Sequence, residues 1–518
     1  MEDDMGKKTE KFLAEPSSAH AEVTAISTVE ARDALGYSAS VYGPDGVRGL
    51  FSSGYVFGAA FLASLGGFSF GYDQGVISII NVMDQFHALY PQAKTSFGTG
   101  FMTGMLLLGA FVGCLFMPYL ADKVSRKWAL TVVVVIFDLG AIIQTAAPDF
   151  GTLVAGRAIG GIGVGTLAMT APLYISEIAP PNLRGTLLVL ESVSIVSGVV
   201  IAYWITFATR HLEGTLSFRL PLVYRCLTRL RGLPATDERV QAEYSGILSE
   251  VVFQRLVAEQ THPGVKGWKL EMHSWLDLLK KKNWRRTAVA VGVCFFQQFS
   301  GVNAFIYYAP TLFRSLGQSD EMSLILSGVF NILQLVGVFI CIMTIDRVGR
   351  RPLAIFGGFG CAVCYMVIAI LSGLYSHDWL NHTGAGWACV AFAFLFIIVF
   401  GVSYSPLGWT LPSEVFTTAS RSKGVALATC INWLSNFVIG VATPPMMETQ
   451  GYRTYIFFTV MCFLAGVWAL ILVPETKGKT LEEMDQEFGD VQGLAERELM
   501  RSAVQSVRQG IITEELRA

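Results

Sequence analysis

Eleven apolar runs of lipid-crossing length alternate with short polar segments along this chain. They lie at roughly 55–80, 97–120, 128–147, 152–175 and 186–208, then 287–313, 322–345, 353–375, 386–411, 425–447 and 454–473. About 20 apolar residues suffice for a helix to cross a bilayer, so the pattern predicts eleven spanning helices, five before and six after a charged stretch. That stretch, between 209 and 286, carries Asp237, Glu238 and Arg239 and later Lys280, Lys281, Lys282, Arg285 and Arg286, and reads as short soluble helices. The opening 50 residues are polar and lack the apolar core of a signal peptide, which predicts a disordered cytoplasmic arm. The expected divisions are an arm at 1–50, a five-span bundle at 51–222, a cytoplasmic linker at 223–286, a six-span bundle at 287–474 and a cytoplasmic tail at 475–518.

Composition agrees with an all-α polytopic membrane protein: 52% of residues are hydrophobic, 15% are charged, and mean hydropathy is +0.49. The net charge of -2, with no large basic block, gives no reason to expect nucleic acid as a partner. Eight of the nine cysteines fall inside apolar runs, where a thiol behaves as a small apolar group, so no disulfide framework is expected. Cys361 and Cys364 form a C-x-x-C without a second pair, and no metal or cofactor is expected there. No soluble stretch holds a nucleophile with its base or a phosphate-binding loop, so an enzyme is not expected.

Basic residues orient the spans. Lys123, Arg126 and Lys127, then Arg184, then Arg347, Arg350 and Arg351, then Arg421 and Lys423 all flank spans on one side, which the positive-inside bias assigns to the cytoplasm. A sequon at Asn381-His382-Thr383 falls on the other side by this count. The chain also repeats itself. Asp122-Lys-Val-Ser-Arg126 matches Asp346-Arg-Val-Gly-Arg350, and Glu177 stands seven residues before Arg184 as Glu414 does before Arg421. Two duplicated membrane halves follow, with charge-assisted pairs expected to latch the cytoplasmic helix ends.

Polar residues inside the spans carry the functional signal. Gln297, Gln298, Asn303, Tyr307 and Tyr308 interrupt an apolar run of about 27 residues. On one continuous helix, steps of three, four and seven place Gln297 under Tyr308 and Gln298 near Asn303, a polar wall that must face a wet cavity or other helices. Amides that both donate and accept suit a neutral polyol; interhelical adhesion is the plainer alternative. Asp73 and Arg157 are ionisable residues within spans, where a paired, functional role is the default, and Asp138 is a third with no partner evident in the sequence.

Gly71-Tyr-Asp-Gln-Gly75, Arg157 before Gly-Gly-Ile-Gly-Val-Gly165, Pro172-Leu-Tyr-Ile-Ser-Glu177, Gln297-Gln-Phe-Ser-Gly-Val-Asn303, Asp346 to Leu353 and Pro474-Glu-Thr-Lys-Gly-Lys-Thr480 together resemble the sugar porter family of the major facilitator superfamily. The resemblance runs from about 55 to 487 and is nearest in flavour to fungal hexose and pentose transporters. It implies two helical bundles, sugar contacts at Gln297, Gln298, Asn303, Tyr307, Asn331, Trp409, Asn432 and Trp433, and proton coupling through Asp73 with Arg157 as its partner. It further implies a cytoplasmic gate built from Asp122, Arg126, Glu177, Arg184, Asp346, Arg350, Glu414 and Arg421. The expected function is proton-coupled monosaccharide transport by alternating access; facilitative uniport and a non-transporting sugar sensor are the alternatives. Partners would be a sugar, a proton and the lipid bilayer, with a monomer in the plasma membrane and its N-terminus cytoplasmic. Two departures stand out: Pro118 and Ser125 replace glycines usual in the first cytoplasmic motif, and Ser192 stands where a sugar-contacting glutamine is often found.

The resemblance also exposes a shortage. The family has six spans per half, but Ser217-Phe-Arg219-Leu-Pro221-Leu-Val-Tyr-Arg225 offers no apolar stretch long enough to cross, giving 5 + 6 helices instead of 6 + 6. Eleven crossings leave the termini on opposite sides, against the basic clusters of both halves. The chain as written is therefore expected to be misassembled or inactive, with a vacancy where a sixth helix should pack.

Overall fold

The computed structural model describes the backbone of residues 54–124, 126–178, 184–211, 268–280, 283–417 and 420–477, with 484 and 488; most side chains of 54–63 and all of 117–131 and 176–184 lie outside the description. The expected arm at 1–50, the expected boundary at 222, the linker segment before 268, most of the tail and the place where a sixth helix is expected to be missing fall on residues outside it.

Among the described residues every regular element is helical. The first half comprises α1 (Gly54–Ile80), a short α2 (Asp84–Leu89) followed by a 3-10 turn, then α3 (Ser96–Val124), α4 (Arg126–Ala146), α5 (Phe150–Ile178) and α6 (Arg184–Thr209). After α7 (Trp268–Asp277) the second half comprises α8 (Trp284–Phe299), α9 (Val302–Ser315), α10 (Asp320–Val348), α11 (Arg350–Tyr375), α12 (Thr383–Val402), α13 (Tyr404–Val415), α14 (Arg421–Gln450) and α15 (Arg453–Leu472). Each of the eleven apolar runs is helical, with α8–α9 and α12–α13 each counted as one, and among the described residues nine of the eleven are long and apolar enough to cross a membrane, α1 and α4 being the exceptions. Val135, Leu139 and Ile142 on α4 and Phe356, Val363 and Ile370 on α11 leave more than half or nearly half of their surface outward, as lipid-facing side chains do.

The two composite crossings depart from expectation. The run holding Gln297 to Tyr308 is not one continuous helix: Ser300 closes α8, and Gly301 turns the chain at φ 82°, a left-handed conformation that glycine adopts without a Cβ penalty. The break rotates α9 relative to α8. Gln298 still meets Asn303, but Gln297 does not lie under Tyr308, whose hydroxyl donates instead to the Gly440 carbonyl at 2.7 Å. A second break at Ser403 (φ -117°, ψ -91°) separates α12 from α13.

At the end of the bundle that carries the basic motifs, Arg350 forms a fork with Glu414, Nη2 to Oε1 at 2.8 Å and Nε to Oε2 at 3.2 Å, and reaches Asp346 at 3.0 Å. This cluster ties α10, α11 and α13 together within the second half. The crossing to the first half is made by Thr186 Oγ1, which donates to Asp346 Oδ2 at 2.6 Å. Arg421 is buried at the start of α14; the side chains of Asp122, Arg126, Glu177 and Arg184 are outside the description. The Pro474-Glu-Thr-Lys motif has a physical role: Glu475 accepts from the backbone N–H groups of Arg350 and Arg351 at 2.9 and 3.2 Å, capping α11 from a distant segment, and Thr476 donates to Glu414.

Candidate functional site

The two helix breaks meet at the centre. Gln297, in the last turn of α8, donates through Nε2 to the carbonyls of Tyr404 and Ser405 at 2.9 and 3.1 Å, in the first turn of α13 just after the Ser403 break. Back from Gln297 the amides form a directed chain. Gln74 donates to Asn303 Oδ1, Asn303 to Gln298 Oε1, Gln298 to Asn432 Oδ1 at 2.9 Å, and Asn432 to Gln297 Oε1 at 2.6 Å. Gln74 also donates to the Tyr307 hydroxyl at 2.9 Å, which passes on to Asn436 at 3.3 Å. Helices from both halves are therefore joined through side-chain amides, in a region where each such group must find a partner.

Beside this relay lies a cavity of about 50 Å³, walled by Gln297, Gln298, Asn303, Trp409 and Asn432 of the expected set. Phe70 and Gln74 of α1, Ser192, Ile195 and Val196 of α6, and Gln334, Phe400 and Ser405 of the second half complete most of the wall. Three expected contacts stand elsewhere. Tyr307 sits behind the relay, Trp433 is fully buried edge-on to Phe70 with ring centroids 4.7 Å apart, and Asn331 is buried one turn of α10 away from Gln334. Gln334 and Gln74 were missed. The second lay in the Gly71–Gly75 motif already singled out, next to Asp73, and a buried amide there was the available signal. Ser192 Oγ and Gln334 Oε1 line the cavity without a hydrogen-bond partner.

Contacts between the halves lie on both sides of the cavity. Among the described residues the Thr186–Asp346 bond joins them at the basic end, while at the opposite end Arg210 of the first half pairs with Glu321 of the second at 2.7 Å and Tyr203 donates to the Leu324 carbonyl. At about 50 Å³ the space is small beside the roughly 300 Å³ at which ligand pockets begin.

Asp73, one residue before the cavity-lining Gln74, faces Arg157 of α5 at 3.5 Å, and both are almost fully buried. Arg157 Nε also donates to the Met102 carbonyl at 2.8 Å. Asp138 is half-buried on α4. No group of three or more metal-type ligands occurs among the described residues, and Cys361 and Cys364 are buried free thiols.

Comparison with known proteins gives concordant results. "Sugar transporter STL1" of Saccharomyces cerevisiae is 31% identical over 459 aligned positions that cover 82% of this chain and 80% of that protein. The "High-affinity glucose transporter" of Kluyveromyces lactis is 30% identical, covering 84% of this chain and 85% of the relative. The 459 positions exceed 82% of 518 residues by roughly 30, about one crossing helix with its turn. Among solved structures, the proton:xylose symporter XylE bound to 6-bromo-6-deoxy-D-glucose superposes with a TM-score of 0.66 at 25% identity, covering 84% of this chain and 99% of that one. The inward open form of XylE from E. coli gives 0.62, also at 25% identity, over 84% of this chain and all of the other. A family profile described as "Sugar (and other) transporter" matches residues 59–488. The chain belongs to that family, the multi-pass sugar transporters of the major facilitator superfamily, which move their substrate and do not transform it.

Proposed function

We propose that this protein is a monosaccharide–proton symporter in which the relay cavity takes the sugar and Asp73 takes the proton. The observation that carries the reading is the buried Asp73–Arg157 pair set one residue from Gln74, so that a proton arriving on Asp73 loosens its hold on Arg157 at the edge of the sugar cavity. Amides from α1 and from the second half can satisfy ring hydroxyls, and the Trp409 indole supplies an aromatic surface for the C–H side of a pyranose. Ser192 Oγ and Gln334 Oε1, from opposite halves, supply two further polar atoms that no protein group engages. A monosaccharide does not fit in 50 Å³, so loading requires the halves to part, and alternate opening at the two ends would break the contacts that join the halves there. With the basic end cytoplasmic, the plasma membrane supplies the gradient. One proton moved through about 100 mV yields roughly 2.3 kcal/mol, and one pH unit roughly 1.4 more. At about 1.4 kcal/mol per decade that sustains a gradient of several hundredfold.

The test is sugar-dependent alkalinisation of the medium around cells lacking their own hexose carriers. Wild type should show it; Asp73→Asn should abolish it while leaving sugar exchange. Uptake without proton movement or accumulation would assign the protein to facilitated diffusion.

A second reading rests on the roughly 30 aligned positions of the relative that this chain does not match and on the five long helices described before residue 212. In it the 518-residue chain lacks the sixth helix and does not transport. Sequencing the transcript across the codons for Leu222 and Val223 decides whether residues were skipped, and robust sugar uptake by the chain as written would sink this reading.

A further inference from the structure

Glu191 is a buried carboxyl that nothing above uses. It lies on α6 beside the cavity-lining Ser192, its exposure is 0%, and neither carboxylate oxygen has a hydrogen-bond partner. Its side chain packs on the bare backbone of α1: a Cβ built on Gly67 would stand 3.3 Å from Glu191 Cγ and 2.8 Å from Ile195 Cγ1. The seam is equally close one turn on, where a Cβ on Gly71 would meet the Ile195 carbonyl oxygen at 1.8 Å.

The elements packed against α6 are α1, α5, α10 and α13. Their charged side chains are otherwise engaged or remote. Asp73 and Arg157 hold each other, and Asp346 and Glu414 are held by Arg350. Arg347 is exposed, Asp320 and Glu321 lie at the opposite end with Arg314 and Arg210, and the Glu177 side chain is outside the description. The Tyr404 hydroxyl donates to the Ala465 carbonyl. An ionised carboxylate in such a place would have neither water nor a counter-charge, whereas the neutral acid is tolerated.

Position gives the acid a use. α1 and α6 run parallel, and Gly67 precedes Asp73 by six residues, about 9 Å at 1.5 Å per residue. Phe70, which lines the cavity, falls between them. Glu191 is seven residues from the start of α6, about 10 Å from the basic end. Two carboxyls therefore flank the cavity, Asp73 towards one mouth and Glu191 towards the other.

We propose that Glu191 is a second proton-binding site of the transport cycle: neutral while the cavity is occluded, and ionised when the basic end opens and water enters the α1–α6 seam. In that step the O–H bond of the acid breaks, the proton passes to a water molecule that carries it to the cytoplasmic side, and other water molecules entering the seam hydrate the carboxylate left behind. Reclosure requires that a proton return to it. The idea rests on the symport reading for its place in the cycle, but the proton on Glu191 can be sought independently.

Infrared spectroscopy of the purified full chain should show the C=O band of a protonated carboxylic acid at neutral pH, lost in Glu191→Gln and retained in Asp73→Asn. A spectrum unchanged in Glu191→Gln would overturn the proposal, whether or not the protein transports. In vesicles, raising the cytoplasmic-side pH should speed net sugar uptake by wild type. Glu191→Gln should lose that acceleration while keeping sugar exchange, and Glu191→Asp should restore it. Full retention of the acceleration in Glu191→Gln would also overturn the proposal. Absence of any sugar-coupled proton movement in wild type would instead refute the symport reading, with the infrared band still deciding whether Glu191 holds a proton.

Discussion

Replacing Thr186 by valine removes the hydrogen bond that crosses between the halves at the basic end while preserving the shape of the side chain. The hydroxyl now donates to Asp346 Oδ2 at 2.6 Å, closer than a methyl group can approach an oxygen, so valine both deletes an attraction and adds a small repulsion. Asp346 keeps Arg350 at 3.0 Å, so no buried charge is orphaned and the effect stays local. A hydrogen bond to a charged group contributes a net 1.5–3 kcal/mol, roughly. At about 1.4 kcal/mol per decade the closed-to-open ratio should fall by roughly one to two orders of magnitude. The assay is alkylation of a cysteine placed at Ser192, on a background without native cysteines, by a small reagent applied from the basic end. Thr186→Val should accelerate labelling at least tenfold, and Thr186→Ser should restore the slow rate. Labelling within twofold of the parent would refute the view that this bond closes the basic end. Gly185→Ala should act in the same direction by sterics, since its Cβ would fall 2.3 Å from Arg350 Nη2 and 2.4 Å from Asp346 Oδ1.

Glu321→Gln at the opposite end should change little, under about 1 kcal/mol by chemical denaturation, because Glu321 is 65% exposed and its pair with Arg210 is screened by solvent. Gly301→Ala should destabilise the purified protein by at least about 1–2 kcal/mol from the left-handed backbone alone, with added crowding against Phe458 and Tyr365 at 2.7 Å, read as a lower melting temperature. Gly408→Ala should cut sugar affinity, measured by equilibrium binding, because its Cβ would stand 2.4 Å from the Gln297 amide and push that side chain off the Tyr404 and Ser405 carbonyls. Asp149, ahead of α5, accepts from the Thr152 N–H, which holds its carboxyl below the ordinary value. The cap's contribution is therefore present above the usual carboxylate range and lost as pH falls through the depressed value. Asp149→Ala should remove that segment of the pH–stability profile, followed by hydrogen exchange at Thr152.

The crossings were legible because lipid imposes one rule on every residue of a span, and a run of apolar side chains records it. The breaks were not, because Ser300, Gly301 and Ser403 are residue types that intact membrane helices also carry, and only the backbone angles distinguish a packed glycine from a turning one. Of the candidate site, Gln297, Gln298, Asn303, Trp409 and Asn432 line the cavity, and all but Trp409 share the relay. Asn331 and Gln334 show the limit. Both are buried amides on α10 three residues apart, and which of them faces the cavity depends on a rotation of the helix that composition does not encode. Likewise Glu414 and Arg421 look matched in the chain, yet the fork on Glu414 comes from Arg350, whose start-of-helix position brings it alongside α13.

A carrier has a return stroke, and the amide relay bears on it. Gln74, Asn303, Gln298, Asn432 and Gln297 each hand a hydrogen bond to the next and the last hands it to backbone, so those five groups are satisfied by the protein itself. A sugar held there as proposed would interrupt that procession, its hydroxyls substituting bonds of about the same worth, roughly 0.5–1.5 kcal/mol each. Loading is then close to neutral in hydrogen bonding, which disfavours a grip too tight to release. Because every link points the same way, the amides can take up a substrate and later re-form their line without any one of them being stranded in lipid.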